Sequence, residues 1–180
     1  YMFIGKTGAG KSTTINYLLE YPMVKSSDGD DCPVPLDPSI PEPCKTGDSA
    51  ESVTSYPSVH KAKNDYMLCD CPGFDDNRGP ESRVSISVTT ESVVRNAKQV
   101  KGLIVILDWP IFQSGRGIGF KEIAITIASL VRADVCSIDK SVLFLITKAP
   151  ENLKIQAIIK KIDSHITAIE NEKIQKARSE

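Results

Sequence analysis

Blocks of apolar residues separated by glycine and proline clusters mark out the chain. Tyr1 to Ile4 is an apolar run halted by Gly5, and from Lys11 to Glu20 the residues Ile15, Leu18 and Leu19 recur at helical spacing. The pattern predicts a strand, a glycine loop and a helix. Residues 21–50 hold six prolines (Pro22, Pro33, Pro35, Pro38, Pro41, Pro43), two glycines and many Asp and Ser. No regular element is expected there, only a long, mobile insertion. Val53 to Lys61 and Tyr66 to Asp70 look like two short strands joined by the turn formers Asn64 and Asp65, which predicts a hairpin. Val84 to Thr90 alternates like a strand, whereas Thr90 onward, with Val93, Val94 and Ala97, has helical spacing. The first half of that segment stays unassigned.

Leu103 to Asp108 and Val142 to Thr147 are continuous aliphatic runs, the mark of strands buried on both faces of a parallel sheet. Between them, about Gly119 to Arg132, Phe120, Ile123, Ala124, Ile127, Ala128 and Val131 fall on one helical face and predict a helix lying on the sheet. From Glu151 to about Ala177, Ile155, Ile159, Ile162, Ile166 and Ile169 recur in steps of four and three. Two heptads are too few for a coiled coil, so the stripe is expected to pack on the domain, with a projecting or dimerising helix as the alternative. Alternating strands and helices imply an α/β fold with a mostly parallel sheet, whose ligand site lies at the carboxyl ends of the strands.

Composition narrows the classes. The 180 residues are 41% hydrophobic and 25% charged, enough for one domain with its own core. A formal charge of -1 leaves no basic stripe, so no nucleic-acid partner is expected. The longest apolar runs are far too short to span a bilayer, and membrane association is expected only through segments flanking this sequence. Five cysteines (Cys32, Cys44, Cys69, Cys71, Cys136), odd in number and without metal-ligand spacing, suit a reducing cytoplasmic compartment. Cys69 and Cys71 are expected to pack beside a buried strand, and His60 and His165 have no evident nucleophile to serve.

Two motifs carry chemistry. Gly5-Lys6-Thr7-Gly8-Ala9-Gly10-Lys11-Ser12 fits GxxxxGK(S/T) between strand and helix. Glycines let successive backbone N–H groups curl around phosphates at a helix N-terminus, the lysine reaches the β and γ oxygens, and the hydroxyl serves Mg2+. The phosphate-binding set is Gly5, Lys6, Thr7, Gly8, Ala9, Gly10, Lys11, Ser12 and Thr13. The second motif, Asp70-Cys71-Pro72-Gly73, ends the Tyr66 to Cys69 strand. In a P-loop fold an acidic residue there holds Mg2+ through water, and the N–H of Gly73 meets the γ-phosphate.

With these two motifs the sequence resembles the GTPase families that carry GxTGAGKST, then a threonine, then DxPGF. These are the septin-like proteins and the immunity-associated and chloroplast-translocon GTPases. The resemblance runs from Tyr1 to about Leu153. It implies a three-layer P-loop NTPase fold of the G-domain type, with GTP or GDP as ligand and Mg2+ as cofactor. It also implies a switch threonine before the second strand, which Thr54 fits and for which Thr46 competes. With Ser12 and Asp70, Thr54 completes the metal set. The base motif N/T-K-x-D is matched by Thr147 and Lys148, but Pro150 stands where the guanine-binding Asp belongs. Guanine selectivity must then come from Glu151, backbone groups or a partner chain.

Catalysis is the least specified step. Phe74 occupies the place of the glutamine that orients water in Ras-like proteins. Slow intrinsic hydrolysis is therefore expected, with Thr54, Arg78 and Arg116 as candidate catalytic groups, or with a group supplied across a homodimer or oligomer at the nucleotide face. The alternatives are an ATP-binding P-loop NTPase, favoured by Pro150, and an assembly module that holds nucleotide without turning it over. A complete domain of this type would have another strand and helix after the last helix, so residues 1–180 are expected to form a single, partial GTP-binding domain truncated at its C-terminus.

Overall fold

A computed structural model describes residues 1–26, 33–47, 54–74, 80–113, 119–121, 123–125 and 141–179. The chain divides into two compact units, Tyr1–Ile106 with Lys140–Leu145, and Leu107–Asp139 with Ile146–Glu180.

In the first unit, β1 (Met2–Gly5) leads through the glycine loop into α1 (Lys11–Leu18). There follow β2 (Met23–Lys25), β3 (Pro33–Pro35), β4 (Ser58–Lys61), β5 (Met67–Asp70) and α2 (Pro80–Asn96). Then come β6 (Leu103–Asp108) and β7 (Val142–Thr147), whose last residues pass into the second unit. The sheet order is β4-β5-β1-β6-β7. β1 pairs parallel with β5 and β6, and β4 pairs antiparallel with β5. This is an α/β fold with a mostly parallel central sheet, as the sequence predicts. β1 lies between two strands, so all four of its residues are buried. Phe3, Ile15 of α1, Leu68 and Ile106 share one cluster with Ala9 and Cys44, and burying each large side chain contributes about 1.5 to 3 kcal/mol. The predicted hairpin forms β4 and β5; Asp65 turns it at φ 60°, with Ala62 N–H on Tyr66 O at 2.8 Å.

Two expectations are corrected, and one unassigned stretch finds its place. Within residues 21–50 two short strands form, β2 and β3, as an antiparallel ribbon, while the described residues 36–47 carry no helix or strand. Leu36 N–H donates to Pro22 O, so the Pro22/Leu36 and Val24/Val34 positions are the hydrogen-bonded pairs. Pro33 and Pro35 therefore fall on the intervening pairs, where a missing N–H removes no ladder bond. The alternating Val84 to Thr90 stretch belongs to α2. Pro80 suits the first turn of a helix, and β-branched residues lower helix propensity by only tenths of a kcal/mol. Finally, β6 is buried at Val105, Ile106 and Leu107, but Leu143 and Phe144 of β7 are 59% and 53% exposed. Among the described residues β7 ends the strand order and has one strand neighbour.

The second unit contains a 3-10 turn (Trp109–Phe112), a helical stretch at 119–121 and 123–125, and α3 (Ile155–Ser179). Buried Ile123 agrees with the helix predicted from Gly119, whose remainder lies outside the described residues. Trp109 packs on Phe112, and the His165 ring stacks near Phe112 and Phe120 at 6.2 and 6.1 Å between centroids. A His165 hydrogen bond of 3.2 Å joins Nε2 to Phe112 O. This contact sets the rotation of α3 and corrects the predicted packing face. His165 is buried, with Ile158, Ile162 and Ile169 half-buried around it, whereas Ile155, Ile159 and Ile166 of the heptad-like stripe are exposed. Among the described residues, no helix is long and apolar enough to cross a membrane.

Candidate nucleotide site

The Gly5–Ser12 loop lies between the central strand and α1, as its motif requires. Gly10 caps α1 at φ 94°, a left-handed conformation that a side chain would strain, and this lets the chain turn straight from loop into helix. Lys11 is 6% exposed. Its ammonium folds back on the loop, donating to Lys6 O at 2.8 Å and Gly5 O at 3.2 Å. Burial lowers its pKa from 10.5 to about 8, against the opposing pull of Asp70 and then Cys71.

The DxxG segment leaves β5 and runs along this loop. Phe74 N–H donates to Gly5 O and Cys71 N–H to Phe3 O, both at 3.3 Å. A side chain at Gly73 would collide with the backbone and hydroxyl of Thr7, so only glycine permits this approach. The Thr7 hydroxyl is buried there with no hydrogen-bond partner among the described residues.

Ser12, Thr54 and Asp70, the predicted metal set, come together from three separate segments. Ser12 Oγ donates to Asp70 Oδ2 at 2.7 Å and lies 3.4 Å from Thr54 Oγ1. Asp70 is 1% exposed, and among the described residues its Oδ1 accepts no hydrogen bond. Desolvation raises its pKa; the Ser12 hydroxyl, Lys11, His60 and Cys44 act against that rise. An ionised carboxylate buried in this way calls for a cation. Two hydroxyls and a carboxylate form the hard oxygen donor set that suits Mg2+. Thr46, the competitor for the switch position, is instead held by Glu42, whose Oε2 accepts from Thr46 N–H at 2.9 Å and from Thr46 Oγ1 at 2.7 Å.

Lys6, Thr7, Gly8, Ala9 and Thr13 keep their loop and first-turn places, with Ala9 N–H bonded to Lys6 O at 3.2 Å. Thr147 and Lys148 belong to the second unit, where Thr147 Oγ1 lies 3.5 Å from Leu107 O and Lys148 takes a left-handed φ of 52°. Arg78 and Arg116 lie outside the described residues. His60 bonds Ser58 Oγ at 2.8 Å, and Cys69 and Cys71 are buried, as packing predicts.

Two site residues escape sequence reasoning. Asn16, one helical turn after Ser12, is fully buried, and its carboxamide grips the Cys44 backbone. A polar residue beside Ile15 on the inward side of α1 was the available signal. Cys44 gave none, because it lies in the proline-rich stretch.

No family model matches the chain, and no curated protein matches it. Among solved structures it is similar to the signal recognition particle receptor SRb-GTP/SRX complex from Chaetomium thermophilum. That likeness covers 99% of this chain and 80% of that chain at 18% identity, with a TM-score of 0.47. The fold assignment above rests on this chain's own strand order and pairing.

Proposed function

We propose that this chain is a guanine-nucleotide-binding P-loop protein. It binds Mg-GTP and hydrolyses it slowly, or with help from a partner or a second copy, to switch the segments carrying Thr54 and Gly73. The observation that carries this reading is the meeting of Ser12, Thr54 and Asp70 beside the buried Lys11 at the end of the central strand. A glycine turn with no ligand would have no use for a desolvated lysine and a buried carboxylate oxygen without a partner.

In this reading the loop N–H groups and Lys11 hold the β and γ phosphates. The hydroxyls of Ser12 and Thr54, with Asp70, hold Mg2+, which neutralises phosphate charge when bound. Lys11 would exchange its carbonyl partners for phosphate oxygens. Gly73 lies against Thr7, within reach of a group bound in the loop, so its backbone is suited to report loss of a phosphate. Thr147 and Lys148 are assigned to the base. The resemblance to septin-like, immunity-associated or translocon GTPases rests on the sequence motifs alone, and the buried free thiols among the described residues are consistent with the cytoplasmic setting expected from the sequence.

Pro150 in the base motif favours a second reading, an ATP-binding P-loop protein. A competition titration separates the two: fluorescent GDP bound with Mg2+, displaced by GTP, GDP, ATP or ADP, on wild type and Lys11→Ala. Displacement by guanine nucleotides alone, abolished in Lys11→Ala, is the expected result. Equal displacement by adenine nucleotides would replace the reading with the second one, and no binding to wild type would remove both.

A further inference from the structure

Thr7 is the third residue of the glycine loop, and its side chain lies at the seam between that loop and the segment that leaves β5. The packing there is close. A Cβ built on Gly73 would stand 2.4 Å from Thr7 Oγ1, 2.4 Å from Thr7 N and 2.6 Å from Thr7 Cα, so Gly73 rests directly on this residue. One residue later the seam is drawn together again by the Phe74 N–H on Gly5 O at 3.3 Å. Thr7 Oγ1 is shut off from water, and among the described residues it has no hydrogen-bond partner.

A buried hydroxyl in that state costs free energy, and a side chain needed only to fill the seam would do so better without the polar atom. The surroundings define what would relieve it. Gly73 packs on the hydroxyl without bonding to it, so the hydroxyl is not a tie between the two segments. It belongs instead to the loop whose N–H groups and Lys11 are assigned to phosphates, and it adjoins the glycine suited to report the last of them. A diphosphate ends one phosphate short of that place. A hydroxyl can rotate its proton toward an anionic oxygen, and a hydrogen bond to a charged acceptor is roughly twice as strong as one between neutral groups.

We propose that Thr7 is a specificity-determining residue whose hydroxyl donates to the terminal phosphate, so that the site favours a nucleoside triphosphate over the diphosphate. This rests on the Mg-nucleotide reading of the site. It also gives the contact between Thr7 and Gly73 a function: the side chain that recognises the third phosphate touches the segment that responds to it.

The test displaces fluorescent GDP, in the presence of Mg2+, with GDP and with the non-hydrolysable βγ-imido analogue of GTP. The proteins are wild type, Thr7→Val, Thr7→Ala and Thr7→Ser. Thr7→Val keeps the branched shape and loses the hydroxyl; it is expected to weaken the triphosphate analogue about tenfold and to leave GDP within about twofold. Thr7→Ser keeps the hydroxyl and is expected to hold both affinities within about threefold of wild type. A general loss of packing would weaken both ligands together, and serine, which lacks the methyl group, would not rescue it. If Thr7→Val fails to fold, Thr7→Ala against Thr7→Ser decides alone. Equal losses for the two ligands, no loss for either, or a shift in favour of the triphosphate overturns the proposal and leaves the nucleotide reading standing. A wild type that holds no nucleotide overturns both.

Discussion

Lys11 shows how one residue connects fold and ligand. Its ammonium is desolvated before any phosphate arrives, which lowers its pKa from 10.5 to about 8. Between those two values the unfolded chain binds a proton that the folded chain does not, so stability rises with pH across that window. Below about 8 the full cost of keeping the charge buried is present, about 3 kcal/mol at 1.36 kcal/mol per pH unit. Above 10.5 it is gone. In EDTA without nucleotide, urea unfolding from about pH 7 to 10.5 is expected to show wild type gaining roughly 3 kcal/mol on Lys11→Met. Parallel curves would mean that Lys11 is not desolvated. At this scale the motif residues were legible in advance. The spacing of Gly5 to Ser12 and of Asp70 to Gly73 encodes backbone shape and side-chain reach within a few residues of each other. Asn16 and Cys44 were not legible, because their contact crosses 28 residues and a segment with no periodicity.

Among elements, the sequence is most readable where one periodicity dominates. β1, α1, the β4–β5 hairpin and β6 each follow from an apolar run or a turn pair, and each is found where predicted. Where two signals compete, the sequence leaves an element open or misleads. The alternation at Val84 to Val88 resembles a strand, yet it lies inside α2, which opens on Pro80. In α3 the isoleucine stripe resembles a packing face, yet the buried face is centred on His165 because its ring finds two phenylalanines. Prolines concealed the β2–β3 ribbon, and the register explains why they are tolerated. Val34 occupies the pair that needs its N–H, whereas Pro33 and Pro35 do not. Val34→Pro is therefore expected to open the ribbon, seen as lost hydrogen-exchange protection at Val24 and Leu36, while Pro35→Ala leaves both protected. Equal protection in the two variants would contradict the register.

At the scale of the whole molecule, the site gathers costs that a ligand can relieve together. Lys11 holds a charge in a desolvated place, and among the described residues neither the buried Asp70 Oδ1 nor the buried Thr7 hydroxyl has a hydrogen-bond partner. Each is a group whose burial costs free energy until something of opposite character reaches it. The sequence disclosed this only in part: the motifs named Lys11, Asp70 and Thr7, but not their degree of burial, which depends on how the folded segments pack around them. Mg-GDP binding only the folded chain at 100 times its dissociation constant adds about 2.7 kcal/mol of stability. For a chain of this size that corresponds to a rise in Tm of roughly 5 to 10 °C. The rise is expected to shrink in EDTA, because Asp70 then keeps its unpartnered oxygen, and to vanish in Lys11→Ala at the same nucleotide concentration. Inorganic sulfate, which offers an anion without the base or a Mg-bridged diphosphate, is expected to give less than a third of the effect. Equal rises with sulfate and Mg-GDP would reduce the site to a general anion cradle, because charge alone would then account for everything the loop does.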